Sequence, residues 1–430
     1  TVQNNSKSEY KYNIVIKDLL NTFVTNGYLK YKITSTNNGY NMTEFKDIPK
    51  SSIATDTILA YSVVIPNGVT QSYTIEFKYA NDESVDQSDD MGRKLSGTLF
   101  ITEGTEQPTL LTQLLADKST VLTRTDFSKV LTNDNTKTLY TSTENGTTVY
   151  YFAGNATDNW VKFGKNESNQ DLYWRIIRTN SDGGVRLLYH GTSTTAENAY
   201  IGTSAFNEKY NDPMYVGYMY GTSGSLVNNR TNATNSTIKG VIDTWYKNNL
   251  NTNYGKYIST TAVYCNDRSN PAGGYNTGST EFYYGGYTRL ITNKAPTYDC
   301  TDTNDKFTVD TSTGNGKLTY PIALMTADEV SFAGGLYDTK APTWYYYNSA
   351  NGSSTGMFGW WLLSPSFWGG SYAYVFSVNA SFNPGRLDHN TVNSTYGVRP
   401  AISLKSCVKT SGGDGSASAP YTIKETETGC

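Results

Sequence analysis

Six side chains carry most of the reactive potential of this 430-residue chain: His190, His389, Cys265, Cys300, Cys407 and Cys430. A nucleophilic centre needs a Ser or Cys beside its base. The two histidines are far apart, and no sequence pattern marks a Ser or Cys partner for either. No catalytic residue is therefore assigned and no enzyme activity is expected. His190 follows a strand pattern and reads as structural or exposed. No two cysteines have C-x-x-C spacing and no histidine lies near one, so neither a metal nor another cofactor is expected. "GTSGS" lacks the Lys and the helix of a phosphate loop. The acidic segment 82–90, "DESVDQSDD", lacks the spacing of a calcium loop, and a solvated turn is the plainer reading.

An even cysteine number fits disulfides in an oxidising compartment, and four cysteines allow three pairings. Neighbour pairing, Cys265–Cys300 and Cys407–Cys430, closes the shortest loops. The alternative is four free thiols in a cytosolic protein.

Binding chemistry is better represented. The stretch "WGGSYAYVFSVNASFNPGRLDHNTVNSTYGVRPAISL", starting at Trp368, is rich in Tyr, Ser, Gly and Asn, the residues of antibody-type loops. Candidate contact residues are Phe367, Trp368, Tyr372, Tyr374, Phe382, Asn383, Arg386, Asp388, His389, Ser394 and Tyr396, since aromatic and Arg side chains anchor interfaces. Gly369, Gly370, Ser371, Ser377, Ala380 and Ser381 would shape the surface. In "SYAYV", Tyr372 and Tyr374 share one strand face and Ala373 and Val375 the other. If the small apolar pair faces the core, both tyrosines face outward; the reverse packing buries them. Trp360, Trp361, Leu362, Leu363, Trp160, Trp174, Ile176 and Ile177 read as core.

The elements that must position these residues are mostly strands. The chain holds 36 Tyr but only 12 Pro, and its Ser, Thr, Asn and Gly favour strands and turns. A net charge of -3 without a Lys/Arg cluster argues against nucleic acid as partner. No apolar run approaches the ~20 residues of a membrane helix. The polar opening "TVQNNSKSEY" has neither an initiator Met nor a signal peptide and reads as a processed chain.

Residues 1–10 form a polar N-terminal segment. Residues 11–106 read as an immunoglobulin-like antiparallel β-sandwich, with strands in "YNIVIKDLL", "YLKYKITS", "ILAYSVVIP", "QSYTIEFKYA" and "LSGTLFITE". Residues 107–136 are expected to be a linker with a short helix, since Leu110, Leu111, Leu114 and Leu115 have helical spacing. Residues 137–430 form the larger unit. It opens with strands and a hairpin turning at "NSDGG". In "STIKGVIDTWYKNNL", Ile238, Val241, Ile242 and Trp245 mark a helix capped by Ser236. A second, short helix is expected in "TADEVSFAGG". The fold class is mainly β with a few short helices.

The phrases "YWRIIRTNSDGGVRLLY", "YPIALMTADEVSFAGG" and "WWLLSPS", followed by "GVRPAISL", resemble a bacterial domain common in secreted proteins of gut Firmicutes. That domain is similar to the C-type lectin fold in its formylglycine-generating-enzyme-like branch. The resemblance covers most of residues 140–405. The N-terminal sandwich resembles modules of Gram-positive surface proteins. Some members of the branch are variable proteins of diversity-generating retroelements, with variable residues in the last strands of the lectin fold. The stretch from Trp368 occupies that position. Randomising the first two bases of AAC or AAT codons cannot produce Trp, Met, Lys, Gln or Glu. These five types number 58 of 430 residues, so about four are expected in thirty positions. Residues 369–398 hold none, although a turn-rich β segment with little charge would read similarly.

The resemblance implies a secreted or cell-surface bacterial binding protein or adhesin. The sandwich would be a spacer, and the lectin fold would display a diversified site for a protein or glycan on another cell, phage or host surface. Two alternatives are a structural stalk or pilus subunit and a formylglycine-type oxidase. The oxidase would need Cys407 and Cys430 as copper ligands. The sugar-binding "EPN" and "QPD" motifs of animal C-type lectins are absent.

Overall fold

Two compact units divide the chain at residues 107/108. The computed structural model describes all residues except 26, 49, 50, 105, 106, 197, 198, 349–358 and 381, and not the side chains of 51–53 and 55. The protein is mainly β with a few short helices, as its composition predicts.

The first unit packs two three-stranded sheets. Its strands are β1 (Tyr10–Asn21), β2 (Leu29–Ser35), β3 (Lys46–Asp47), β4 (Ser51–Ile65), β5 (Tyr73–Tyr79) and β6 (Leu95–Glu103). Their sheet orders are β4-β1-β6 and β3-β2-β5. All five strand phrases form strands. Alternation places Ile14 and Ile16 of β1 and Tyr31 and Ile33 of β2 in one shared core. The polar N-terminal segment belongs to this unit, because Val2 and Gln3 pair with Gln71 and Thr70. The acidic segment is also built in. Asp90 is buried and accepts from the Val24 and Thr25 backbone N–H groups and the Tyr79 hydroxyl. Burial alone would raise its pKa, but the hydrogen bonds win and hold it down at about 2.

The expected linker at 107–136 is instead part of the second unit. Helix α1 (Leu110–Asp117) buries Leu110 and Leu114 in that unit's core. Strand β7 (Thr120–Thr123) pairs in parallel with β8 (Thr138–Glu144). Lys118 makes a buried 2.6 Å ion pair with Asp158, and Arg124 donates to the carbonyls of Ser331 and Phe332. The leucine spacing revealed the helix; the contacts that tie it down are non-local and left no local signal.

The second unit continues with β9 (Thr147–Tyr151), β10 (Trp160–Lys165), β11 (Asp171–Thr179), β12 (Val185–Gly191) and β13 (Thr203–Ala205). Helix α2 (Thr237–Asn249), β14 (Phe282–Tyr283), β15 (Ile322–Leu324) and α3 (Ala327–Ala333) follow. The chain ends with β16 (Trp360–Trp368), β17 (Ala373–Val378), β18 (Leu387–Thr391), β19 (Thr395–Gly397), β20 (Pro400–Leu404), β21 (Thr410–Gly412) and β22 (Tyr421–Ile423). A ten-stranded sheet runs β15-β20-β12-β11-β9-β8-β7, with β10, β21 and β22 attached. A six-stranded sheet runs β13-β19-β16-β17-β18, with β14 on β16.

The expected β11–β12 hairpin forms, closed by the Asn180 N–H to the Gly184 carbonyl at 2.8 Å. Ser236 caps α2 by accepting from the Lys239 N–H. In α3, Thr326 and Glu329 make a capping box. Glu329 also receives Arg178 and Arg186 at 3.0 and 2.9 Å, and Arg178 reaches Glu144 at 2.8 Å. All eight expected core residues, from Trp160 to Leu363, are buried. Cys265 with Cys300 and Cys407 with Cys430 stand at disulfide distance, with Cα atoms 5.8 and 5.3 Å apart.

Candidate functional site

Strands β16, β17 and β18 carry the candidate residues. The turn between β16 and β17 is closed by the Gly369 N–H to the Tyr372 carbonyl at 3.0 Å. Gly370 has φ +77°, and a Cβ there would lie 2.3 Å from the Ser279 carbonyl oxygen, so the turn needs glycine. Register then decides which residues meet. Phe367 pairs with Tyr374, and Phe376 pairs with His389. All four share one face of the sheet.

On that face the Phe367 and Tyr374 rings stack 4.1 Å apart. The His389 ring lies 4.8 Å from Phe367 and 5.8 Å from Tyr374. Neighbouring segments add rings that the sequence did not single out. Tyr283 of β14 pairs with Phe367, and its ring sits 4.2 Å from that of Tyr287. Tyr287 lies parallel to His389, and Tyr337 closes on His389 from another side at 5.2 Å. Tyr372, the more exposed strand tyrosine, stacks on Tyr210 at 4.8 Å. Phe367, Tyr374, Tyr283, Tyr287 and Tyr337 thus form one half-buried aromatic cluster around His389, while Tyr372 and Phe382 are exposed.

The outward reading of "SYAYV" matches the packing: Ala373 and Val375 are buried, Tyr372 is exposed and Tyr374 half-buried. Three assigned contact or shaping residues are buried instead. Trp368 is inside and donates its indole N–H to the Gly278 carbonyl at 2.7 Å. Ser377 and Ala380 are also inside, Ser377 because its strand end is covered on both faces. Ser381 lies outside the described residues. Gly369 and Ser371 are exposed, and Gly370 and Asn383 half-buried.

The polar residues form a chain of bonds beside the rings. Arg386 reaches Asp338 at 2.6 Å and also pairs with Asp388. Asp388 accepts from Asn379 at 2.7 Å. Further along, Asn390 donates to the Tyr396 hydroxyl, and Ser394 bonds to both Asn390 and Thr391. Arg386 is therefore held in place by two carboxylates.

His389 has both ring nitrogens engaged: Nδ1 with Ser366 Oγ at 3.1 Å and Nε2 with the Tyr337 hydroxyl at 3.3 Å. Burial lowers its pKa, Arg386 adds to this, and Asp388 opposes it. Burial, followed by Asp388, pushes the Tyr337 hydroxyl up to about 12. No local pattern announces a Ser beside this histidine, since Ser366 comes from another strand, β16. Ser366 is fully buried. Asp388 accepts from the His389 backbone N–H, not from the ring. The arrangement holds the imidazole within a ring cluster, and burial favours its neutral form. His190 is buried edge-on to Trp160 at 4.5 Å, a structural place.

A cavity of about 260 Å³ lies elsewhere in this unit, beside Cys265–Cys300. Its arginines are already engaged: Arg178 and Arg186 by Glu329, Arg289 by Asp267 and Asp328. Among the described residues, no group of three His, Cys, Asp or Glu could hold a metal ion, and no helix is long and apolar enough to cross a membrane.

Residues 281–287, "EFYYGGY", carried the one sequence signal for the missed rings, four aromatics in seven positions. Their link to the final strands comes only from sheet pairing. Comparison of the chain with family models, with curated proteins and with solved structures gives no match.

Proposed function

We propose that this chain is a bacterial binding protein of the cell surface or secreted fraction, whose second unit displays a ligand site on β16–β18. The carrying observation is the half-buried aromatic cluster of Phe367, Tyr374, Tyr283, Tyr287 and Tyr337 around His389, with the exposed Tyr372 of the same hairpin stacked on Tyr210. Rigid Tyr and Phe faces give contact area at low entropic cost. The buried Ala373 and Val375 on the other face fix the strands beneath them.

The resemblance of the last strands to variable proteins of lectin fold adds diversification to this reading. Within residues 369–398, diversity compatible with folding falls on exposed or half-buried positions: Ser371, Tyr372, Tyr374, Phe382, Asn383, Arg386, Asp388, His389, Ser394 and Tyr396. The ligand class is a protein or glycan surface.

The test is binding of the full chain to glycan and surface-protein arrays, beside a Tyr372→Ser, Tyr374→Ser, Phe382→Ser variant. The reading expects a ligand that the folded triple variant fails to bind. A ligand bound equally by both chains would remove the site from this surface. Sequencing the coding segment for residues 369–398 across a population tests diversification, which requires variation concentrated at the open positions.

A further inference from the structure

The first unit leaves part of its own core open. In the β4-β1-β6 sheet, Ile14 and Ile16 of β1 face the core, and their partners on β6 are Ile101 and Leu99. In the other sheet, Tyr31 of β2 faces the core and pairs with Phe77 of β5, while Leu29 pairs with Tyr79. Cross-strand partners share a face, so Leu99, Ile101, Phe77 and Tyr79 point to the core side. Yet they are 48%, 45%, 48% and 39% exposed. Phe100, on the outer face of β6, lies under Lys17 Nζ at 4.7 Å.

Both strands are sheet edges, each paired on one side only among the described residues. They open on the same side of the sandwich. Phe23, just past β1, joins them: its ring meets Tyr79 at 5.6 Å, and the adjacent Thr22 N–H donates to the Lys94 carbonyl at the start of β6. Edge strands are commonly protected by Lys, Pro or a bulge. Residues 96–102 of β6, "SGTLFIT", have no charge and no Pro.

We propose that this edge binds the same edge of a second copy about a two-fold axis, joining both sheets end to end. Antiparallel pairing of β6 with itself about Phe100 sets Leu99 opposite the second copy's Ile101, and Thr98 opposite its Thr102. Pairing of β5 with itself about Phe77 sets Glu76 opposite the second copy's Lys78, and each contact occurs twice. The edge is thus self-complementary in both apolar pattern and charge, as a two-fold interface requires. The closed pairing yields a dimer with two displayed sites, and bivalence raises avidity without new ligand contacts. It does not depend on what the second unit binds, so its failure leaves the ligand reading intact.

Sedimentation velocity of the full chain, up to ~100 μM, tests it. The wild type should form dimers. Glu76→Lys or Lys78→Glu alone places like charges opposite each other and should weaken the dimer about tenfold. Combining the two re-forms both pairs with reversed polarity and should restore it. The variant Leu99→Lys, Ile101→Lys should be monomeric, with circular dichroism and melting like the wild type, because both positions are already open to water. A wild-type monomer overturns the proposal and leaves the edge to a foreign strand. A dimer indifferent to all these substitutions overturns it equally.

Discussion

Burial favours the neutral form of His389. Its ring is packed by Phe367, Tyr287 and Tyr337, and its nitrogens meet two hydroxyls. Its folded pKa lies below the ordinary value, chiefly through burial, with Arg386 reinforcing and Asp388 opposing. As pH falls, the unfolded chain takes up this proton first, so stability is lost below ~6.5 and is complete above it. Melting of the second unit between about pH 5 and 7 should therefore slope upward, and His389→Phe should flatten the slope. Tyr372 and Phe382 are exposed, and changing both to Ser should alter stability by within ~0.5 kcal/mol. Thermal melts check this, and a larger loss would make them part of the core. Strand alternation made the exposure of Tyr372 legible. The burial of Trp368 was not, because its cover comes from Gly278, ninety residues earlier.

Single elements were legible where their pattern is local. The Ser236 cap and the Ile238–Ile242 spacing of α2 are written in consecutive residues, as is the alternation of β1 and β2. Pairing between distant elements was not. Nothing near α3 announces that Glu329 receives Arg178 and Arg186 from strands some 150 residues earlier. Burial alone would raise the Glu329 pKa, but the two guanidinium groups hold it below the ordinary value. Glu329→Gln would leave two buried cations short of a partner and should cost about 3–5 kcal/mol, measured by denaturant unfolding. Trp361 fills a fully buried place between Phe206 and Tyr396. Trp361→Ala should cost a similar 3–5 kcal/mol through the cavity it leaves. Together these define the difference between the frame and the surface it carries: substitutions at Glu329 and Trp361 should destabilise the unit, whereas those at Tyr372 should not.

At the scale of the whole chain, two separate cores predict two separate responses. The division at 107/108 lies before α1, since Leu110 and Leu114 belong to the second core. Limited digestion with a broad-specificity protease should thus leave a stable fragment starting near residue 108 and retaining α1. The spacing of the four leucines showed a helix, but a linker helix and a docked one have the same local pattern. A stable fragment that begins near residue 137 would contradict the docking. Acid should separate the units further. The folded pKa of Asp90, about 2, lies below the unfolded carboxylate value of ~3.9, so its stabilisation is complete above ~3.9 and lost as pH falls toward 2. The first unit has only a small core and depends on Asp90 to hold Val24, Thr25 and Tyr79 together. Calorimetry over this range should show its transition moving down as pH falls from 4 to 2. In Asp90→Asn that transition should start lower and lose the part of its pH dependence owed to this carboxylate. An unchanged pH response in Asp90→Asn would assign the acid sensitivity to other carboxylates.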